Sequence, residues 1–274
     1  MMENQYQAYQ PPPGAGAGLI KCIWRVREYA PLKEKETILP KGNVEIIFNY
    51  STRVRYLNPS FNQDLELPTV FINGINTKPL HLIKHGGHEF IGIQLSSIGL
   101  RSLLNVPVRD FNDCVVSATE VYPELLELAE KLYVASSFSD QVAFILDWFQ
   151  RSLSCGVENY ALSRAQCLMK LARNPQLANT VRAQCARVGL SRRQLSRFSN
   201  EWFGMSTESF FGYQKYLEAL DRLHQSGKSL TEIGLESGYY DQSHFIRQFK
   251  FYTGLTPKQY RNASKQRQAG HIFP

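Results

Sequence analysis

The alternation of apolar and polar positions changes its period partway along the chain. From about residue 19 to 115, β-branched and aromatic residues come in short runs: 44–50 (Val-Glu-Ile-Ile-Phe-Asn-Tyr), 70–72 ahead of Asn73-Gly74, and 90–95 after Gly86-Gly87. Runs this short, bounded by turn residues, predict an antiparallel sheet or small barrel. Between 123 and 136 the apolar positions Leu125, Leu128, Ala129 and Leu132 instead recur every three or four residues, and 142–153 repeats the pattern. That is one face of a helix, so two amphipathic helices are predicted after the sheet.

Beyond residue 156 the pattern is helical throughout, and its punctuation is explicit. Ser191-Arg192-Arg193-Gln194 and Ser229-Leu230-Thr231-Glu232 have the form of capping boxes, in which hydroxyl and N3 side chain satisfy free N–H groups at a helix start. Thr256-Pro257 is an N-cap followed by proline at the first helical position. Gly189, Gly204, Gly227, Gly238 and Gly254 stand where helices should stop. These marks delimit seven helices, at about 158–173, 180–188, 192–203, 207–225, 230–237, 242–253 and 257–263.

The expected fold is therefore α+β, an antiparallel β-rich domain with two following helices (19–155) and an all-α domain with two helix-turn-helix units (156–263). Residues 1–18, with Pro11-Pro12-Pro13 followed by Gly14, Gly16 and Gly18, and residues 264–274 have little to bury and are expected to be flexible.

The helical half contains an internal repeat. Leu195-Ser196-Arg197 and Phe245-Ile246-Arg247 lie fifty residues apart, as do Gly204-Met205-Ser206 and Gly254-Leu255-Thr256, whereas the turn glycines Gly189 and Gly238 are forty-nine apart. The second turn is thus one residue longer. A short helix, a Gly-containing turn and a second helix make a helix-turn-helix, whose second helix enters the DNA major groove.

Counting 100° per residue separates two faces on each second helix. Leu195, Phe198 and Trp202 form an apolar stripe opposite Arg193, Ser196, Arg197 and Asn200; Phe245, Phe249 and Tyr252 form one opposite Ser243, Ile246, Arg247 and Lys250. The arginine fork suits the O6 and N7 acceptors of guanine, Ser and Asn can bond base edges or phosphates, and Ile246 can meet a thymine methyl. Arg192 and Gln242 join these candidates at the helix starts, and Lys258 and Arg261 read as phosphate contacts. The helix at 207–225 would be roughly 28 Å long, a strut able to hold both reading helices near the ~34 Å turn of B-DNA. A solvated charged face is the plainer reading of Arg192, Arg193 and Arg197; the duplication favours DNA.

Charge supports this division. Residues 1–155 carry 14 Lys+Arg against 16 Asp+Glu, whereas residues 156–274 carry 17 against 8, a net +9. The basic excess marks the helical half as a polyanion binder. At 43% hydrophobic and 20% charged residues the chain suits a soluble protein. The longest apolar run, Val142-Ala143-Phe144-Ile145-Leu146, cannot span a bilayer. The start of the chain lacks a secretory pattern, so a cytoplasmic location without a membrane partner is expected.

The stretch Ile233-Gly234-Leu235-Glu236-Ser237-Gly238-Tyr239-Tyr240-Asp241-Gln242-Ser243-His244-Phe245-Ile246-Arg247-Gln248-Phe249-Lys250, continuing through Gly254-Leu255-Thr256-Pro257 to Tyr260-Arg261, resembles the AraC/XylS-type bacterial transcriptional regulators. Gly189-Leu190-Ser191 with Gln194-Leu195-Ser196-Arg197 looks like the first helix-turn-helix of the same module. Three core positions depart from the family pattern: Cys185 and Gly234 replace alanines, and Ser199 stands where phenylalanine is common. Lys215 replaces an arginine of the linking helix. Less specifically, Leu39-Pro40-Lys41-Gly42, Phe71-Ile72-Asn73-Gly74-Ile75, Phe90-Ile91-Gly92-Ile93 and the segment 99–107 resemble an uncharacterised domain found ahead of such modules. The resemblance implies a transcription regulator, most often an activator, with a sensing or dimerising N-terminal domain. Its expected partners are a double-stranded DNA operator, RNA polymerase, a small-molecule effector of unstated identity, and a second copy of the chain.

Other clusters carry rival readings. His81, His85, His88 and Glu89 are close enough to suggest a metal-binding sensor or enzyme targeted to DNA. Gly86-Gly87, however, should separate two strands, which favours ordinary hairpin histidines. Cys22, Cys114, Cys155, Cys167 and Cys185 contain no Cys-x-x-Cys pair; Cys167 and Cys185 read as core thiols, with redox sensing as the rival. Trp24, Phe48, Tyr50, Tyr56 and Phe71 could line an effector pocket or fill the sheet's core. No nucleophile elbow, phosphate loop or dinucleotide fingerprint is present. No catalytic residue, cofactor or metal is assigned.

Overall fold

The computed structural model describes residues 5–12, 18–51, 53–153, 159–174, 177, 180–263 and 271–272. The first half runs β1 (Gln5–Tyr9), β2 (Ile20–Ile38), β3 (Val44–Asn49), β4 (Val54–Asn58), β5 (Gln63–Glu66), β6 (Val70–Asn73), β7 (Leu80–Leu95), α1 (Ser97–Leu104), β8 (Val115–Ser117), α2 (Ala118–Val121), α3 (Glu124–Val134) and α4 (Phe138–Ser152). The second half runs α5 (Asn159–Arg173), α6 (Val181–Val188), α7 (Arg192–Phe203), α8 (Thr207–Gln225), α9 (Leu230–Glu236), α10 (Gln242–Thr253) and α11 (Pro257–Ala263), then β9 (His271–Ile272).

The strands form an antiparallel sheet in the order β1-β2-β7-β3-β6-β8, with β4 and β9 attached to β7 and β2. Strand β7 is its hub: β2 flanks one edge along most of its length, while the other edge pairs first with β4 at residues 81–84 and then with β3 at residues 90–95. Gly86-Gly87 therefore does not divide two strands, contrary to the sequence expectation. The pair stays in register with Ala30 and Tyr29 of β2, and the bend falls at Gly86, whose φ is +77°, beside an irregularity in β2 between Ala30 and Glu34. Glycine accepts this backbone without a Cβ clash.

Alternation along the strands assigns side chains to two layers, because successive residues point to opposite faces. Val44, Ile46 and Phe48 of β3, with Ile91, Ile93 and Leu95 of β7, join the main core under the helices. Ile47, Phe71 and Phe90 point the other way, forming a second cluster with Trp24, Val26 and Leu82. Gly92 lies opposite Trp24, and a Cβ there would come within 2.1 Å of the indole. Only glycine leaves room for that ring.

The helices between sheet and basic half begin with α1, which the β-branched pattern around it hides. Its Ser96 hydroxyl accepts the Gly99 amide, and Ile98, Leu100 and Leu103 are buried. Helix α4 starts four residues ahead of its apolar repeat, at Phe138, because Ser137 caps it through the Asp140 amide. In the basic half the seven helices fall within a residue or so of their expected bounds. Two stops differ: α8 is capped by Ser226 in an extended conformation, not by Gly227, and α9 is capped by Ser237, with Gly238 at φ +82° one residue further on.

Candidate nucleic-acid interface

Two helix-turn-helix units follow from local chemistry. Helices α6 and α7 enclose the first turn, in which Gly189 has φ +68° and its amide bonds to the Cys185 carbonyl. Ser191 and Gln194 complete a reciprocal capping box at the start of α7, as do Ser229 and Glu232 at α9. Asp241 caps α10 by accepting the His244 amide at 2.7 Å. Thr256 and Gln259 exchange equivalent bonds at α11, at 3.2 and 2.8 Å. Both reading helices thus have sharply set N-termini.

Charged groups brace both turns. Arg164 of α5 donates to the Val188 and Gly189 carbonyls at 3.2 and 3.0 Å, a cation at the C-terminal end of α6. Glu236, ending α9, accepts from Arg222 at 2.7 Å and Lys228 at 2.6 Å, and the bond from Lys228 holds its carboxyl below the usual range.

The two faces of the reading helices separate largely as the residue spacing requires. On α7, Leu195, Ser199, Trp202 and Phe203 are buried, and Phe198 is half-buried, stacked 5.5 Å from Trp202. Arg192, Arg193, Ser196 and Arg197 are exposed; Asn200 is half-buried and donates to the Ser196 carbonyl at 2.8 Å. On α10, Phe245, Phe249, Tyr252 and Thr253 are buried, whereas Gln242, Ser243, Arg247 and Lys250 are exposed and Ile246 is half-buried. Arg197 pairs with Glu201 at 3.0 Å but keeps its side chain 82% exposed. Such surface pairs are worth about 1 kcal/mol or less, so the guanidinium is free to exchange partners. Lys258 is exposed, but Arg261 is half-buried and donates to the Lys228 carbonyl at 2.8 Å, tying α11 to the lead-in of α9.

Sequence reasoning missed how α8 is used. It is no free strut, since Tyr213 and Tyr216 are fully buried and their hydroxyls cross to the sheet domain. Tyr213 donates to the Asn76 carbonyl at 2.8 Å and accepts the Gly42 amide at 3.0 Å; Tyr216 donates to the Pro40 carbonyl at 2.9 Å. Loops of the sheet domain also hold the C-terminal ends of both reading helices. Asn112 donates to the carbonyl of Gly204, the α7 cap. Lys78 donates to the Phe251 carbonyl and lies 3.5 Å over that ring. Asp113 fixes this platform by accepting the Thr77 hydroxyl at 2.8 Å. Repeated tyrosines on one helix face were the available signal, but their partners lie more than a hundred residues away.

The remaining candidates have ordinary partners. His81 bonds the Thr37 hydroxyl at 2.9 Å, His88 bonds Glu28 at 3.0 Å, and His85 is exposed. Among the described residues no three His, Cys, Asp or Glu side chains cluster to hold a metal. Cys22, Cys114, Cys167 and Cys185 are free thiols, and burial pushes Cys22 and Cys114 up from their ordinary pKa. Cys155 lies outside the described residues. Of the five aromatics, Trp24, Tyr56 and Phe71 line a cavity within the sheet. Phe48 faces the main core, and Tyr50 donates to the Ala129 carbonyl at 2.8 Å. Among the described residues no helix is long and apolar enough to cross a membrane.

Two capped helix-turn-helix units docked on a β-sheet domain define a DNA-binding regulator. Residues 184–263 match the helix-turn-helix domain family, and residues 7–117 match a domain of unknown function, DUF6597. The chain is 31% identical over 284 aligned residues to an uncharacterized HTH-type transcriptional regulator of Haemophilus influenzae, covering 95% of this chain and 91% of that protein. It is 24% identical to the HTH-type transcriptional activator RhaS of Pectobacterium carotovorum, over 65% of this chain and 57% of that one. Among solved structures, ToxT from Vibrio cholerae shares the fold, with a TM-score of 0.51 at 12% identity over 94% of this chain and 98% of that one. The chain belongs to the AraC-type helix-turn-helix transcriptional regulators.

Proposed function

We propose that this regulator reads two successive major-groove segments of one operator with α7 and α10 of a single chain, and that it activates transcription. The observation that carries the reading is the pair Arg197 and Arg247, fifty residues apart, both exposed on polar faces opposite buried aromatic stripes. Arg193, Ser196, Arg197 and Asn200 read one segment; Ser243, Ile246 and Arg247 read the other. Arg192, Gln242, Lys250 and Lys258 take phosphates, and Arg261 joins them with whatever donors its bond to Lys228 leaves free. The activator reading is supported by the activator named among its relatives.

Residues 19–155 act as the sensing or dimerising unit and residues 156–263 as the reader, in the cytoplasm, with an effector, RNA polymerase and a second copy of the chain as partners. Communication between the units runs through Tyr213, Tyr216, Asn112 and Lys78, because these side chains join the sheet domain to α8 and to both reading helices. The test is operator binding by Arg197→Ala and Arg247→Ala. Each variant weakens specific binding by about 1–3 kcal/mol and relaxes selection at its own segment. Unchanged affinity and selectivity in both refutes the assignment.

A further inference from the structure

The sheet lines a partly open cavity of about 680 Å³, within the size range of small-molecule sites. Trp24, Ile47, Phe71, Leu82 and Phe90 make its walls. The charged residues that line it are Lys21, Lys41 and Lys84 with Glu28, Glu36 and Glu45, a balanced set. Lys84 pairs with Glu36 at 2.6 Å and Glu28 at 3.3 Å, and Glu28 also accepts His88.

One position in this network is filled from the far end of the chain. Strand β9 pairs with Thr37 and Ile38 of β2 and brings the His271 imidazole between Glu36 and Lys41, with Nδ1 on the carboxylate and Nε2 on the ammonium. An ammonium has no lone pair, so Nε2 must accept and the ring proton must sit on Nδ1, facing Glu36. His271 is therefore neutral; burial and the Lys41 charge both pull its pKa below the ordinary value. The Glu36 carboxylate is almost wholly buried, at 3% exposure.

We infer that Glu36 and Lys41 form a ligand seat in the sheet cavity, filled in cis by His271, whose exchangeable occupant is an uncharged aromatic N-heterocycle with one N–H donor and one ring-nitrogen acceptor. Lys84 keeps Glu36 Oε2, but Oε1 is left in need of a donor and the Lys41 ammonium in need of an acceptor, because a buried polar group without its bond is costly. The balanced lining gives no preference to a net charge, and the aromatic walls suit a flat ring. An entering heterocycle takes over both bonds of His271 and frees β9 from β2. His271, tethered to the site, competes at high effective concentration, so the seat is best probed with that side chain removed. The inference goes beyond the sensing role proposed above, and its test uses no DNA, so its failure leaves the DNA reading untouched.

The test is thermal melting of the full-length chain with added imidazole, or with N-methylimidazole, which cannot donate to Glu36. His271→Ala should melt below wild type, and imidazole should raise its Tm saturably by several degrees through mass action. N-methylimidazole should not, wild type should respond weakly, and His271→Ala with Glu36→Gln should lose the response. If His271→Ala does not fold alone, imidazole in the refolding buffer should restore its far-UV spectrum where N-methylimidazole fails. Equal responses to both azoles, equal responses in wild type and variant, or no effect of imidazole on either melting or refolding would overturn the inference.

Discussion

The hydroxyl of Tyr213 donates to the carbonyl of Asn76 at 2.8 Å, joining the helix between the two reading units to the sheet domain. The same oxygen accepts the Gly42 amide, and the side chain is 1% exposed. Tyr213→Phe keeps the ring and strips both bonds, leaving a buried amide and carbonyl unpaired. A loss of about 1–3 kcal/mol in urea unfolding is expected, with faster amide exchange at Gly42. Wild-type stability and exchange in this variant would mean that the junction carries no coupling.

Ser199 makes the opposite case. It is fully buried in α7, and among the described residues its hydroxyl has no hydrogen-bond partner. Ser199→Ala removes an unpaired polar group at no cost in helix propensity, so stability should be unchanged or rise by up to about 1 kcal/mol. A clear loss would point to a bond that the hydroxyl makes through bound water.

The capping boxes separate the two units experimentally. Ser191→Ala and Ser229→Ala should each cost about 1 kcal/mol. Ser191→Ala loosens α7 itself, whereas Ser229→Ala loosens α9, which supports α10 from behind. Footprinting should show the first variant weakening protection of one operator segment and the second weakening the other. Uniform weakening of both segments by either variant would contradict independent reading units.

Acid stability should be governed in part by the Glu36 network. Burial alone would raise the Glu36 pKa, but the hydrogen bond from His271 and the bond and charge of Lys84 overcome it and hold it at about 2. A depressed carboxylate stabilises the fold above its unfolded value of 4.5, and the gain is lost as pH falls toward 2. His271 acts in the same direction, since the unfolded chain takes up its proton below an ordinary pKa of 6.5 while the folded chain resists. Stability should thus fall from about pH 6.5 downward and more steeply below 4.5. Glu36→Gln should flatten the lower part of that curve; an unaltered profile in the variant would remove the network from the account.

Local signals were legible and distant ones were not. The bounds of α7 and α11 could be read because Ser191 and Thr256 satisfy helix ends within three residues of themselves. The polar faces of α7 and α10 could be read because they follow from helical spacing alone. Ser199 escaped the predicted stripe because a small polar side chain gives no apolar signal, although it occupies a core position. Helix α1 was hidden because its eight residues sit directly after a strand and too few turns are available to show a period. Gly86-Gly87 misled because glycine pairs mark both hairpins and bends, and only the continuous partner β2 decides between them. The seat between Glu36 and Lys41 depends on His271, 235 residues from Glu36, a separation that no local pattern can report.

The central claim is two reading helices in one chain, and selection of bound sequences from a random DNA pool tests it most directly. Full-length wild type and Arg247→Ala should be compared at fixed salt, because phosphate contacts make affinity steeply salt-dependent. The account predicts two enriched segments about one helical turn apart for wild type, with Arg247→Ala relaxing one segment and leaving the other intact. A single enriched segment that Arg247→Ala leaves unchanged, or no enrichment at all, would contradict it.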